Sequence, residues 1–312
     1  MSGKIACIAL DWGTSNRRGW ALDAGGHVVD ARSDDQGLIA VTDRDFAGSL
    51  RRFVADWLGG RPPVIMAGMI GSRLGWREAA YLETPVDLTQ LGLHLTVIED
   101  FDDVPVRIVP GVARVTEDSA DVMRGEECQM LGALLARGQR DGVFLLPGTH
   151  AKWALLENGI LTDFRTYMTG ELFGHLRNSG SLSQVMPPMD APETFDADAF
   201  DRGVTRAGAP DAPGITHLLF GVRSLSLFSK LTPATAPSYL SGLLVGAEMR
   251  DALRWTPARQ VTAIGSAKLL ETYARAAAYF KITLDRLESD DILPPALFGI
   301  AREAGLVAKT AA

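Results

Sequence analysis

Two short segments of the chain carry the residue types that grip phosphate. Gly13-Thr14-Ser15 and Gly148-Thr149-His150 each follow a short apolar run, Ile5–Leu10 and Val143–Leu146. Glycine and a hydroxyl residue at the end of a buried strand let backbone N–H groups converge with no bulky side chain in the way, as phosphate oxygens require. Asp11 stands just before the first loop, where a carboxylate can hold magnesium, directly or through water, beside those phosphates. Taken singly, each Gly-Thr step reads as an ordinary turn and Asp11 as a turn-initiating aspartate; the pairing is what points to phosphate chemistry. Arg124-Gly125-Glu126-Glu127 opens a helical run. A carboxylate there can accept the proton of an attacking hydroxyl while Arg124 holds an anion, although an acidic first turn also suits the helix dipole alone. The loop Gly68–Arg77 (GMIGSRLGWR), with Arg73, Trp76 and Arg77 among its glycines, suits a carboxylate ligand or a purely structural turn.

The elements that must position these residues are legible from apolar spacing. Ile5–Leu10 predicts a buried strand, Gly19–Leu22 and His27–Arg32 a hairpin about the turn Asp23–Gly26. Phe46, Leu50, Phe53, Val54, Trp57 and Leu58 form one helical stripe, capped by Thr42 or Asp43 and ended by Gly59-Gly60. Val64–Ala67 is a further strand. Asp121–Arg137, Ser238–Leu253 and Lys268–Phe280 have helical spacing, Val261–Ile264 reads as a strand, and Gly242 and Gly246 permit close helix packing one turn apart. Pro187–Pro213, rich in Pro, Asp and Ala, predicts a surface excursion. The chain also repeats itself: a strand, a Gly-Thr turn and a Trp-Ala-Leu hairpin occur at Ile5–Val28 and again at Val143–Leu161. Two copies imply two similar lobes facing each other across a cleft, residues 1–137 and 138–312, each a mixed sheet flanked by helices.

Composition excludes several classes. The 312 residues are 46% hydrophobic and 22% charged, with a net charge of -7 from 31 basic and 38 acidic residues. Such a surface repels nucleic acid and anionic membranes, so an anion must be bound by a local basic site. The lone cysteines Cys7 and Cys128 suggest a reducing compartment. The N-terminal apolar run is too short for a secretory signal, so the cytoplasm is expected. The sequence has no GxxxxGK[ST], no GxGxxG after a strand, no GxSxG elbow and no histidine spacing suited to zinc.

The segments Leu10–Arg17 (LDWGTSNR), Met66–Trp76 (MAGMIGSRLGW), Met123–Ala133 (MRGEECQMLGA), Leu146–Trp153 (LPGTHAKW) and Tyr167–Leu176 (YMTGELFGHL) resemble the 2-dehydro-3-deoxygalactonokinase family, over about residues 5–305. That resemblance implies an α/β fold of two ribonuclease-H-like lobes, as in the superfamily of sugar kinases, actin and heat-shock chaperone ATPases. It implies ATP and Mg2+ as cofactors, and transfer of the γ-phosphate to the 6-hydroxyl of 2-dehydro-3-deoxy-D-galactonate. By position, Asp11–Ser15 and Gly148–His150 resemble the two phosphate motifs, and Ile264–Leu270 (IGSAKLL), with Gly265 and Ser266, the adenosine motif. Ser241–Met249 resembles the second connecting helix. Where glycerol-kinase-like relatives place a Gly-Asp step for the base, this chain has Gly125-Glu126, and Glu127 is a rival. Ser72, Arg73 and Arg124 are the candidates for substrate contact, Arg73 first because it falls where such relatives carry a substrate-binding arginine. A kinase of another sugar or keto acid, or an actin-like ATP switch, stays open at this point, as does a homodimer.

Overall fold

The computed structural model describes residues 4–308 apart from 100, 102, 189, 190 and 193. The chain divides into two compact units, Met1–Gly142 with Leu155–Phe164 and Glu288–Ala312, and Val143–Ala154 with Arg165–Leu287. In chain order, the strands up to the first long helix are β1 (Cys7–Trp12), β2 (Arg17–Leu22), β3 (Val28–Asp34), β4 (Val64–Ala67), β5 (Tyr81–Glu83), β6 (Val86–Asp87), β7 (Thr96–Ile98), β8 (Val106–Ile108), β9 (Gly111–Val115) and β10 (Ala120–Met123). They are followed by β11 (Gly142–Leu146), β12 (Ala151–Glu157), β13 (Ile160–Tyr167), β14 (Gln260–Gly265) and β15 (Thr283–Glu288). The helices are α1 (Phe46–Phe53), α2 (Glu126–Arg137), α3 (Thr169–Asn178), α4 (Gly180–Ser183), α5 (Ala197–Gly208), α6 (Ile215–Leu227), α7 (Ala236–Trp255), α8 (Ala267–Tyr279) and α9 (Ser289–Glu303). None of the described helices is long and apolar enough to cross a membrane.

The repeat seen in the sequence is a repeat of topology. In the first unit the sheet runs β3-β2-β1-β4-β8-β7, with β1 antiparallel to β2 and parallel to β4. The second copy of the repeat runs β13-β12-β11-β14-β15 within another six-stranded sheet, with β11 parallel to β14. Each copy therefore has its opening strand in the centre, a hairpin on one side and a parallel strand on the other, the expected ribonuclease-H-like order. A central strand is covered on both faces, which is why Ile8, Ala9, Leu10, Phe144 and Leu145 are fully buried and read as continuous apolar runs.

Several boundaries differ from expectation for identifiable reasons. The first strand begins two residues later than the apolar run. α1 is capped by Asp45, whose carboxylate accepts from the Gly48 amide, rather than by Thr42 or Asp43. The stretch 121–137 is strand β10 followed by helix α2, divided at Gly125, whose φ of 109° no helix continues through. The first unit extends to Gly142 rather than 137. The C-terminal segment, expected with the second lobe, packs with the first. Gly132 of α2 lets the Ile292 carbonyl of α9 approach to where a Cβ would stand 2.5 Å away, and Glu303 accepts from the Gly92 amide at 3.1 Å.

The expected surface excursion contains α5. Its Phe200, Gly203, Val204 and Ala207 share a helical face and are buried, a period masked in sequence by the flanking prolines and aspartates. Residues 189, 190 and 193 of that stretch lie outside the described residues. α5 is the partner that the small pair on α7 awaits: a Cβ on Gly242 would fall 2.1 Å from the Phe200 carbonyl oxygen, and one on Gly246 2.9 Å from that of Val204. Backbone cannot yield as a flexible side chain can. Gly242→Ala is therefore expected to destabilise the protein by about 2–3 kcal/mol. Gly221→Ala, on α6 with open space around it, should be neutral or stabilise by up to about 1 kcal/mol. Thermal unfolding of the two variants distinguishes them, and equal midpoints would contradict the packing argument.

Candidate active site

In the first unit, β1 delivers Asp11 to its carboxyl end, and the chain turns through Gly13-Thr14-Ser15. The carbonyls of these three residues accept from the backbone amides of Leu38, Ile39 and Gly37, respectively. This fastens the carbonyl side of the loop to the protein, while Thr14 and Ser15 are exposed. Asp11 accepts from Arg18 Nη2, and the same guanidinium reaches Asp290 through Nη1. The Asp11 side chain is 19% exposed. Among the described residues no group of three or more His, Cys, Asp or Glu could hold a metal ion. Asp11 is a single carboxylate at a strand end, paired with Arg18; magnesium shared with phosphates takes only one or two protein carboxylates and keeps its waters.

β4 ends at Gly68, which has φ 88° and lies so close to β1 that a Cβ would sit 2.9 Å from Asp11 Oδ1. Gly125, at φ 109°, would direct its own Cβ to 3.4 Å from the Gly68 Cα. The two loops thus run side by side, and what they carry is brought together.

Arg124 is 8% exposed. Its Nη2 donates to the Ala79 carbonyl at 2.8 Å, and its guanidinium lies 4.2 Å from the Tyr81 ring centroid. Among the described residues, Arg124 Nε and Nη1 and Ser72 Oγ are buried polar atoms without a hydrogen-bond partner. Gly71, one residue before Ser72, leaves room for Nη1, which would lie 3.0 Å from a Cβ there. Buried donors left unpaired are costly and call for an explanation. Arg73 has a different placement: its side chain is 86% exposed and paired with Glu78 at 3.0 Å.

The two acids at the start of α2 also separate. Glu126 is half-buried and accepts from the Arg124 amide at 2.9 Å. Glu127 is fully buried; both its oxygens accept from the Gly125 amide at 2.8 Å, and Cys128 Sγ donates to it. Burial, and secondarily the neighbouring Glu126 charge, push the Glu127 carboxyl up to about 7 against the pull of those hydrogen bonds.

The second unit presents Gly148-Thr149-His150 after β11, with Thr149 and His150 exposed. The first turn of α3 presses on this loop: Glu171 donates its amide to the Thr149 carbonyl at 2.9 Å, and Gly170 approaches the Gly148 carbonyl so closely that a Cβ would be 2.4 Å away. The Glu171 carboxylate pairs with His150, and buried Lys152 donates to the His150 carbonyl at 3.2 Å. Beside the loop is a cavity of about 340 Å³, walled by Gly148, Thr169, Ser241, Leu244, Lys268 and Tyr273 among others, with mostly apolar surface. Its size and lining suit a nucleoside. The α8 wall lies beyond the Gly265-Ser266 step; Ser266 is the residue that precedes that helix. One member of this site escaped the sequence reading. Glu248 of α7 is 3% exposed and accepts from Trp153 Nε1, Tyr273 Oη and Thr169 Oγ1. The available signal was a single acid inside an apolar helical run, three and four residues beyond Val245 and Leu244.

Comparison with known proteins is consistent over nearly the whole chain. A family profile described as 2-keto-3-deoxy-galactonokinase matches residues 11–300. The 2-dehydro-3-deoxygalactonokinase of Escherichia coli is 35% identical over 272 residues, 86% of this chain and 88% of the relative. A crystal structure of a candidate 2-dehydro-3-deoxygalactonokinase protein from Sinorhizobium meliloti superposes with a TM-score of 0.88 at 35% identity, covering 95% of this chain and 98% of the other. The (R)-2-hydroxyglutaryl-CoA dehydratase component A of Acidaminococcus fermentans shares the fold alone, with a TM-score of 0.52 at 11% identity and coverage of 96% and 98%.

The Glu127 environment has a consequence for stability. A carboxyl raised from 4.5 to about 7 on folding binds its proton more tightly in the native state. Its contribution is full below about pH 4.5 and is lost as pH rises through about 7, roughly 3 kcal/mol at most. Urea unfolding of wild type and Glu127→Gln between pH 4.5 and 8 should show the wild type losing stability relative to the variant across that window. Parallel curves would place Glu127 at an ordinary carboxylate affinity.

Proposed function

The chain belongs to the 2-keto-3-deoxy-galactonokinase family, and from that premise we propose that it transfers the γ-phosphoryl group of ATP to the 6-hydroxyl of 2-dehydro-3-deoxygalactonate. The observation that carries the acid substrate is Arg124, a buried guanidinium with two unpartnered nitrogens, packed at Gly71 against the turn whose next residue, Ser72, also has an unpartnered hydroxyl. A neutral sugar has no use for a buried unpaired cation; a carboxylate supplies both the opposite charge and the acceptors.

In this reading each unit contributes its own parts. In the first, Arg124 and Ser72 hold the carboxylate end of the substrate, with Arg73 a secondary contact because of its exposure. Glu126 accepts the proton of the 6-hydroxyl as that oxygen bonds to phosphorus and the bond from phosphorus to the ADP oxygen breaks. Gly13, Thr14 and Ser15 hold phosphate oxygens, and Asp11 would hold Mg2+, which would supply positive charge against that of the phosphates. In the second, Gly148, Thr149 and His150 hold phosphate, the cavity walled by α7 and α8 takes the nucleoside, and Gly265 and Ser266, which lead into α8, contribute to its binding. Glu126 suits the base better than Glu127, because Glu127 directs both oxygens at the Gly125 amide and is fully buried.

The buried free thiols Cys7 and Cys128 suit the cytoplasm. A homodimer would cover the exposed Phe220, Leu227 and Phe228, and light scattering decides it.

A coupled ADP-release assay over 2-keto-3-deoxy sugar acids and neutral sugars tests the function: turnover confined to the acids is expected, and turnover of neutral sugars alone would overturn it. In the same assay Arg124→Ala should raise KM for the sugar acid by about 30-fold or more, with KM for ATP little changed and Arg73→Ala much milder. A larger effect at Arg73, or equal rises for both substrates, would reverse the assignment. Glu126→Gln should retain ADP binding while losing about 10²–10⁴-fold in kcat; near-wild-type turnover removes Glu126 from the role.

A further inference from the structure

Glu248 joins four elements around one carboxylate. It projects from α7; its Oε1 accepts from Trp153 Nε1 of β12 at 2.8 Å, and its Oε2 accepts from Tyr273 Oη of α8 at 2.8 Å and from Thr169 Oγ1 at the start of α3. Thr169 and Tyr273 both wall the 340 Å³ cavity, so the carboxylate lies directly behind two of its surfaces. The residues after Thr169 are those that press on the second phosphate loop, Gly170 against the Gly148 carbonyl and Glu171 on that of Thr149. A short chain of contacts therefore runs from Glu248 through the first turn of α3 to Gly148-Thr149, and another through Tyr273 to α8.

The chemistry of the contacts argues against mere filling. A buried carboxylate held by three neutral donors, with its charge met by no cation among them, is a costly choice where an apolar side chain would pack. What it offers in exchange is acceptor capacity: two oxygens can fix an indole and two hydroxyls at once, and such networks lock the rotamers of every member. Burial raises the proton affinity of Glu248, and the three donors offset only part of that rise.

We propose that Glu248 is a positioning residue for nucleotide binding, fixing the cavity walls Thr169 and Tyr273 and, through α3, the loop Gly148-Thr149 in one geometry competent for the nucleotide. The inference rests on the reading that this cavity takes the nucleoside of ATP. Glu248 touches no reacting atom in this role. Its removal should cost nucleotide affinity selectively, because the sugar-acid contacts Arg124 and Ser72 are held by other elements.

The test is ADP binding by titration calorimetry, with KM for ATP and for the sugar acid, on the full chain. Glu248→Ala should weaken ADP by about tenfold or more, the scale of one lost buried hydrogen-bond set, and leave the sugar-acid KM within about twofold. Glu248→Gln should lie much nearer wild type, since the hydroxyls of Thr169 and Tyr273 can turn to accept from an amide. Should Glu248→Ala not fold, Tyr273→Phe keeps the aromatic wall and removes only the hydroxyl that reaches Glu248; a loss of about threefold or more in ADP affinity is expected. Unchanged ADP affinity in Tyr273→Phe, or equal rises in both KM values, overturns the positioning role. Ser241→Trp, which fills the cavity, separates the two levels. If it abolishes ADP binding while the Glu248 and Tyr273 variants bind normally, the positioning role alone fails. If it leaves ADP binding intact, the cavity is not the nucleotide site and the inference falls with that reading.

Discussion

In the first unit the chain just after β4 and the start of α2 lie side by side at two glycines, a Cβ on Gly125 standing 3.4 Å from the Gly68 Cα, and Gly68 itself is pressed against β1. Both lie at positive φ, 88° and 109°, and a side chain on Gly68 would collide with Asp11 Oδ1 and the Trp12 carbonyl at 2.9 Å. This is a steric constraint, and the local chemistry follows from it. Asp11 arrives on β1, Ser72 on the turn after Gly68, and Arg124 and Glu126 on either side of Gly125. Four candidate groups from three stretches of sequence are carried by backbones that run close together here. The positive φ at Gly125 also ends strand β10 and starts α2 afresh, which aims Arg124 inward and sets Glu126 at the first helical turn.

Each unit additionally contains a carboxylate that is buried without a cation among its hydrogen-bond partners, and the two solve different problems. Glu127 turns back on the Gly125 amide, using a side chain in the first turn to satisfy a donor where α2 has no N-cap side chain of its own. Glu248 reaches across to three other elements. The first stabilises a local bend of backbone; the second sets distances between elements.

What the sequence made legible is what local spacing encodes. Central strands buried on both faces appear as apolar runs, and the doubled strand, Gly-Thr turn and Trp-Ala-Leu hairpin reported a doubled sheet order. Gly242 and Gly246 announced a close helix partner without saying which, because the partner lies about forty residues earlier in a stretch whose prolines and aspartates hid the period of α5. The substrate candidates show the same limit. Arg73 and Arg124 look equivalent as letters, yet one is 86% exposed and paired while the other is buried with nitrogens to spare. That difference depends on Gly71, Ala79 and Tyr81 closing around Arg124, contacts separated by some fifty residues. Glu248 was invisible for a related reason: its role is defined by Trp153, Thr169 and Tyr273, none of which is near it in the chain.

The state of Arg124 also bears on where binding energy comes from. Leaving buried donors unpaired costs about 1–3 kcal/mol each, and the fold sustains this cost while Tyr81 and the Ala79 carbonyl hold the guanidinium still. In the reading proposed above, a carboxylate that reached this guanidinium would meet a cation already desolvated and held in orientation by the Ala79 carbonyl and the Tyr81 ring. A flexible, solvated arginine such as Arg73 would have to lose water and rotamer freedom at the moment of binding, and would discriminate less between an acid and a neutral sugar. Selectivity for an acid is therefore expected to reside in the arginine whose desolvation was completed during folding, and the exposed one to contribute mainly to capture.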